Sequence, residues 1–141
     1  MAADSSDVDA AVIAKLVGDS TLMAILTDGV YVDVASSGKT QFCLVSQVAH
    51  EDDYVFDGRV WEKFLYLIKA VAQNTSGADV KTAAARIDVL LQDVTLTITG
   101  YRHLLTRRVE RVRYTEVDDV NNDLRWQHRG GRYEVVVATS S

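Results

Sequence analysis

Side chains able to bind a metal, attack a carbonyl or hold a phosphate are few in this sequence and widely spaced. The soft ligands are His50, His103, His128 and Cys43. No two of them stand two to four residues apart, the spacing at which zinc sites gather their ligands, so no metal centre is expected. Each histidine reads as a surface or loop residue. Cys43 stands between Phe42 and Leu44 in a segment with strand character, where a thiol is a small core residue. No G-x-S-x-G elbow occurs, and neither G-x-G-x-x-G nor G-x-x-x-x-G-K-[ST] is present. Gly130-Gly131 alone makes no phosphate cradle. Carboxylates are paired at Asp52-Asp53 and Asp118-Asp119, in stretches that read as loops where solvation accounts for them. No catalytic, cofactor-binding or metal site is expected.

The arginines carry more information. Residues 1–100 hold 7 basic and 14 acidic side chains, whereas residues 101–141 hold 8 basic and 6 acidic ones, every basic one an arginine. Arg102, Arg107, Arg108, Arg111, Arg113, Arg125, Arg129 and Arg132 are interleaved with Glu110, Glu116, Asp118, Asp119 and Asp123. Mixed signs in one stretch suit ion pairs between strands or subunits better than a phosphate track. A solvated strand face with cross-strand pairs is the plain reading. The functional reading is an interface, since Arg with Tyr and Trp is the set enriched at binding hot spots. Its candidate residues are Arg107, Arg108, Arg111, Arg113, Glu116, Asp118, Asp119, Trp126 and Arg129.

The spacing of apolar residues suggests what positions them. Val8, Ala11, Val12 and Leu16 predict a helix over 7–17, with Ser6 as its cap. Ser20 can cap a second short helix that ends at Asp28-Gly29. Strands follow over 30–34 and 41–48, joined through Ser36-Ser37-Gly38, and Asp52, Asp53, Asp57 and Gly58 mark an acidic loop. Residues 60–72 fit both a helical stripe and a long strand, with the periodicity slightly favouring helix. Asn74 or Ser76 opens a longer helix, about 77–92, carrying Val80, Ala83, Ala84, Ile87, Leu90 and Leu91 on one face. Val94, Leu96 and Ile98 alternate with threonines and predict a strand that ends at Gly100. A long strand is expected over 104–117, a turn over 118–123, and strands over 124–129 and 132–138. Gly130-Gly131 is then a tight hairpin turn or a bulge. The sum is one α+β domain, a mixed, mostly antiparallel sheet packed with an N-terminal helix and one longer helix.

At 141 residues the chain can bury about 68–70% of its unfolded surface without disulfide or metal staples. Proline is absent, and residues 1–6 are expected to be flexible. The net charge of −5 and pI near 5.1 count against a nucleic-acid binder. No apolar run approaches the roughly 18 residues of a membrane span. Residues 1–10, with three Asp and no Lys or Arg, have the wrong sign for a signal peptide. With a single cysteine, a reducing compartment is expected.

The segments VWEKFLYLIKAV (60–71), AAARIDVLL (83–91), ITGY (98–101), RYTE (113–116) and WQHRGGRY (126–133) resemble the tail-terminator or tail-completion proteins of long-tailed bacteriophages. The resemblance spans about residues 8 to 138. It implies an α+β subunit, without cofactor, that assembles as a hexameric ring on the end of the tail tube. Its implied partners are further copies of itself, the tail tube protein and the head-tail connector or neck protein, with no membrane and no direct nucleic-acid contact. The implied location is the virion tail or neck, after assembly in the host cytoplasm. It also implies that residues 60–72 form a long strand, and that reading is adopted over the helical one. A neck adaptor is the alternative within the same virion. A small cytoplasmic ligand-binding domain or enzyme is the alternative of another class.

Overall fold

Burial of period-two stripes decides the architecture. In a computed structural model, residues 5–55, 58–73, 77–92, 94–118, 120 and 123–139 are described. The elements are α1 (Ser5–Val17), α2 (Ser20–Ile25), β1 (Val30–Val32), β2 (Gln41–Val55), β3 (Gly58–Gln73), α3 (Ala78–Leu91), β4 (Tyr101–Val117) and β5 (Arg125–Thr139). They build one five-stranded sheet in the order β1-β2-β3-β5-β4, antiparallel except for β1 beside β2. The fold is α+β with a mostly antiparallel sheet, as expected.

Phe64, Tyr66, Ile68, Ala70 and Ala72 of β3 and Tyr133, Val135 and Val137 of β5 share one face, and they are buried with Val8, Val12 and Leu16 of α1 and Val80, Ala83, Ile87 and Leu91 of α3. Helices thus cover one face of the sheet. Two tyrosines stitch the layers together, the Tyr66 hydroxyl donating to Asp9 of α1 and the Tyr133 hydroxyl to Asp88 of α3. Residues 60–72 lie within β3, because its other face, carrying Leu65, Leu67, Lys69 and Val71, is partly or wholly covered too. A strand occupied on both sides loses its alternation, which is why periodicity alone leans to helix.

Several boundaries differ from expectation. α1 begins at Ser5, so Ser6 lies inside it. The cap of α2 is Asp19, not Ser20: its carboxylate accepts from the Leu22 N–H (2.9 Å) and a two-point contact from Arg86 of α3 (2.8 and 2.7 Å). That guanidinium holds the Asp19 carboxyl down at about 2. β2 runs on to Val55, so Asp52 and Asp53 stand in a strand and not in a loop. Residues 94–97 form no strand and Ile98 makes only one isolated bridge, to Tyr101. Leu96 and Ile98 are nonetheless 5% exposed, since any extended segment laid over a core alternates without a ladder. Residues 125–139 form a single strand, so Gly130-Gly131 is no hairpin turn. Residues 1–4, Asp57, Asn74, Ser76, Asp119, Asn121 and Asn122 lie outside the described residues.

Candidate interaction surface

The β4–β5 ladder shifts register twice, at Leu104 and at Val109. Arg108 lies opposite Tyr133 and Glu110 opposite Arg132, so Val109 is the extra residue. In an unbroken strand, Arg108 and Arg111 would face opposite ways. The bulge returns them to one face, the helix-bearing one, and Arg113 follows two residues later. Gly130 and Gly131 make this crowding possible. A Cβ on Gly130 would stand 2.1 Å from the Ile68 carbonyl oxygen, and one on Gly131 would stand 2.7 Å from that of Glu110.

The result is a cleft of about 340 Å³ between α3 and the β4–β5 ribbon, into which Lys81, Arg108, Arg111, Arg113 and Arg129 converge. A second hollow of about 380 Å³ continues it toward Gly77 and Gln127 and shares Lys81, Arg113 and Arg129. Asp88 in the cleft is already engaged, accepting from the Tyr133 hydroxyl at 2.9 Å and lying 3.3 Å from Arg108 Nη1. Lys81, Arg111, Arg113 and Arg129 make no ion pair among the described residues. Arg113 and Arg129 are moreover direct cross-strand partners. Like charges set opposite each other on a sheet are destabilising, so this pair opposes folding unless an anion joins it.

The other residues singled out from the sequence lie elsewhere. Arg107 turns to the opposite face and pairs with Glu134 at 3.1 Å. Glu116 contacts His128 Nε2 at 2.5 Å. Asp118 accepts from the Val120 N–H (2.9 Å) and from Trp126 Nε1 (3.3 Å), and so braces the end of the β4–β5 ribbon. The Trp126 ring lies 6.3 Å from that of Phe42. The structure thus gathers Arg108, Arg111, Arg113 and Arg129, and it adds Lys81, which the sequence alone does not single out.

All three histidines stand in strands and not in loops; His50 is exposed, as a surface position implies, whereas His103 is half-buried and His128 buried. His103 lies 2.6 Å from Thr106 Oγ1, and burial lowers its pKa. His128 stacks on Tyr114 at 4.3 Å, and Lys69 Nζ lies 4.9 Å from the centre of the Tyr114 ring and donates to its hydroxyl. Burial first, and Lys69 second, lower the His128 pKa, against an opposing pull from Glu116.

His50 is not isolated either. A bulge at Val48 and the register Asp52 to Glu62 bring its Nε2 within 3.0 Å of Glu62 Oε1 and 3.3 Å of Asp52 Oδ1. Stacking on Phe64 and a Tyr101 hydroxyl on Glu62 hold the group in place. One nitrogen and two carboxylate oxygens within 4.8 Å of one another are a donor set that suits a divalent cation such as zinc or manganese. A protonated imidazole satisfies the same geometry. This cluster depends on cross-strand register, which residue spacing does not carry.

Acidic groups collect at the far end of the sheet. Beyond β1, Asp33 and Asp9 of α1 line a cleft of about 390 Å³ with His50 and Tyr66. Asp33 makes no ion pair among the described residues, whereas Asp9 accepts from the Tyr66 hydroxyl.

No family model matches the sequence, and no curated protein matches it. Solved structures do share the fold. A chain from the virion of a native gene transfer agent particle superposes with a TM-score of 0.65 at 19% identity, covering 94% of this chain and 96% of that one. A second solved chain superposes with a TM-score of 0.58 at 11% identity over 98% and 96%.

Proposed function

We propose that this chain is a structural virion protein that forms a ring on the end of a phage tail tube, stops tube growth and joins the tail to the head connector. The observation that carries the reading is the end-to-end likeness to a chain of a gene transfer agent virion, over 94% of one and 96% of the other. The resemblance of residues 60–71 and 126–133 to tail terminators supports the same reading. The mechanism is geometric: a head-to-tail interface propagates until a subunit presents one matching and one different surface. Covalent chemistry plays no part in it. Cys43 fits that view, since full burial pushes its thiol up to about 12 and keeps it from acting as a nucleophile.

Light scattering on the purified protein, with electron micrographs of tubes incubated with it, tests the proposal. Rings on tube ends and arrested tube growth are expected; a monomer that leaves tubes growing would overturn it. Co-sedimentation with connector-bearing heads and not with tubes would instead favour the neck adaptor.

A further inference from the structure

The two charged clefts occupy opposite edges of one sheet. The basic one is built on β4, the last strand in the sheet order, together with its neighbour β5 and α3; the acidic one lies beside β1, the first. Four steps of about 4.8 Å separate the edge strands, roughly 19 Å across the sheet. We infer that copies of this chain associate head to tail, the Lys81/Arg111/Arg113/Arg129 cleft of one protomer receiving the Asp9 and Asp33 carboxylates of the next. This inference rests on the ring reading and names the surfaces that would close the ring.

Three observations carry it. First, Arg113 opposes Arg129 across the β4–β5 ladder, a repulsion that a carboxylate placed between them removes. Second, four cations on one side and Asp33 on the other have no ion-pair partner among the described residues, so each cleft offers what the other lacks. Third, each protomer carries one cleft of each sign. A two-fold contact through either cleft would set like against like, whereas a head-to-tail contact pairs opposites and repeats until it closes. A nucleic acid is the lesser fit, since its phosphates would approach a protein of net charge −5.

Charge reversal with the full-length chain tests this. R113E/R129E carries acid at both edges and D33K puts a base in place of the acid at the β1 edge; circular dichroism first confirms that each is folded, with R113A/R129A and D33N as milder checks. Sedimentation velocity should show at least a tenfold weaker association for each reversed variant alone, and recovery when the two are mixed, because every contact in an alternating array is again complementary. Assembly of the wild type should also weaken with added salt. If wild type forms rings and the reversed variants do so equally well, the cleft assignment is overturned while the ring reading stands. A wild type that stays monomeric and leaves tubes growing defeats both. Salt-dependent binding of a labelled DNA duplex, lost in R113E/R129E while self-association is unchanged, would reassign the basic cleft to nucleic acid.

Discussion

Single residues here are constrained mainly by what lies within 3 Å of them. Gly130→Ala places a methyl group against the backbone of β3, and the expected loss is about 3 kcal/mol, read as a lowered urea midpoint. Gly131→Ala meets the Glu110 carbonyl and the flexible Arg108 side chain and should cost less. The Cys43 thiol should react with a disulfide reagent only at the rate of unfolding. His103 and His128 both have folded-state pKa values below the ordinary 6.5. The unfolded chain therefore binds protons that the folded one does not, and stability should fall as the pH drops below about 6.5. For His128 the groups facing it are Lys69, Tyr114 and Glu116. Urea midpoints measured at pH 7.5 and 5.5 check the sign, and His128→Gln should reduce the difference.

At the scale of elements, the sequence was readable wherever one face alone meets the core. The stripes of α1 and α3 name their buried residues almost in full, and Ile87→Ala is expected to cost about 3 kcal/mol. The 60–72 segment defeats periodicity because both its faces are covered, and only the resemblance places it as a strand. Residues 94–99 mislead for the converse reason: Leu96 and Ile98 alternate with threonines over a core that offers no neighbouring strand. The double glycine at 130–131 mimics a turn, yet it marks where β5 passes close to β3 and β4. α2 depends on a cap that also ties it to α3. Asp19→Ala should lower Tm more than Asp19→Asn, which can still accept from the Leu22 N–H. The stability held by the Asp19 carboxylate is present above the ordinary 3.8 and lost as the pH falls toward about 2.

For the molecule as a whole, charge segregation along the chain was legible, and so was the interface character of the arginine-rich segment. Which arginines stay unpaired was not. Arg107 and Arg108 differ by one position, yet Arg107 meets Glu134 on one face and Arg108 meets Asp88 on the other, while Lys81 joins the basic group from a helix. Three-dimensional register makes that choice. The same register bears on size. Val109 is an extra residue between positions that already alternate correctly, so its removal leaves Arg108, Arg111 and Arg113 facing as before. What it takes away is the local bend of an edge strand. A chain lacking Val109 should keep its electrostatics and meet its neighbour at a changed angle, so that the number of copies per closed circle shifts, visible as altered rotational symmetry in class averages.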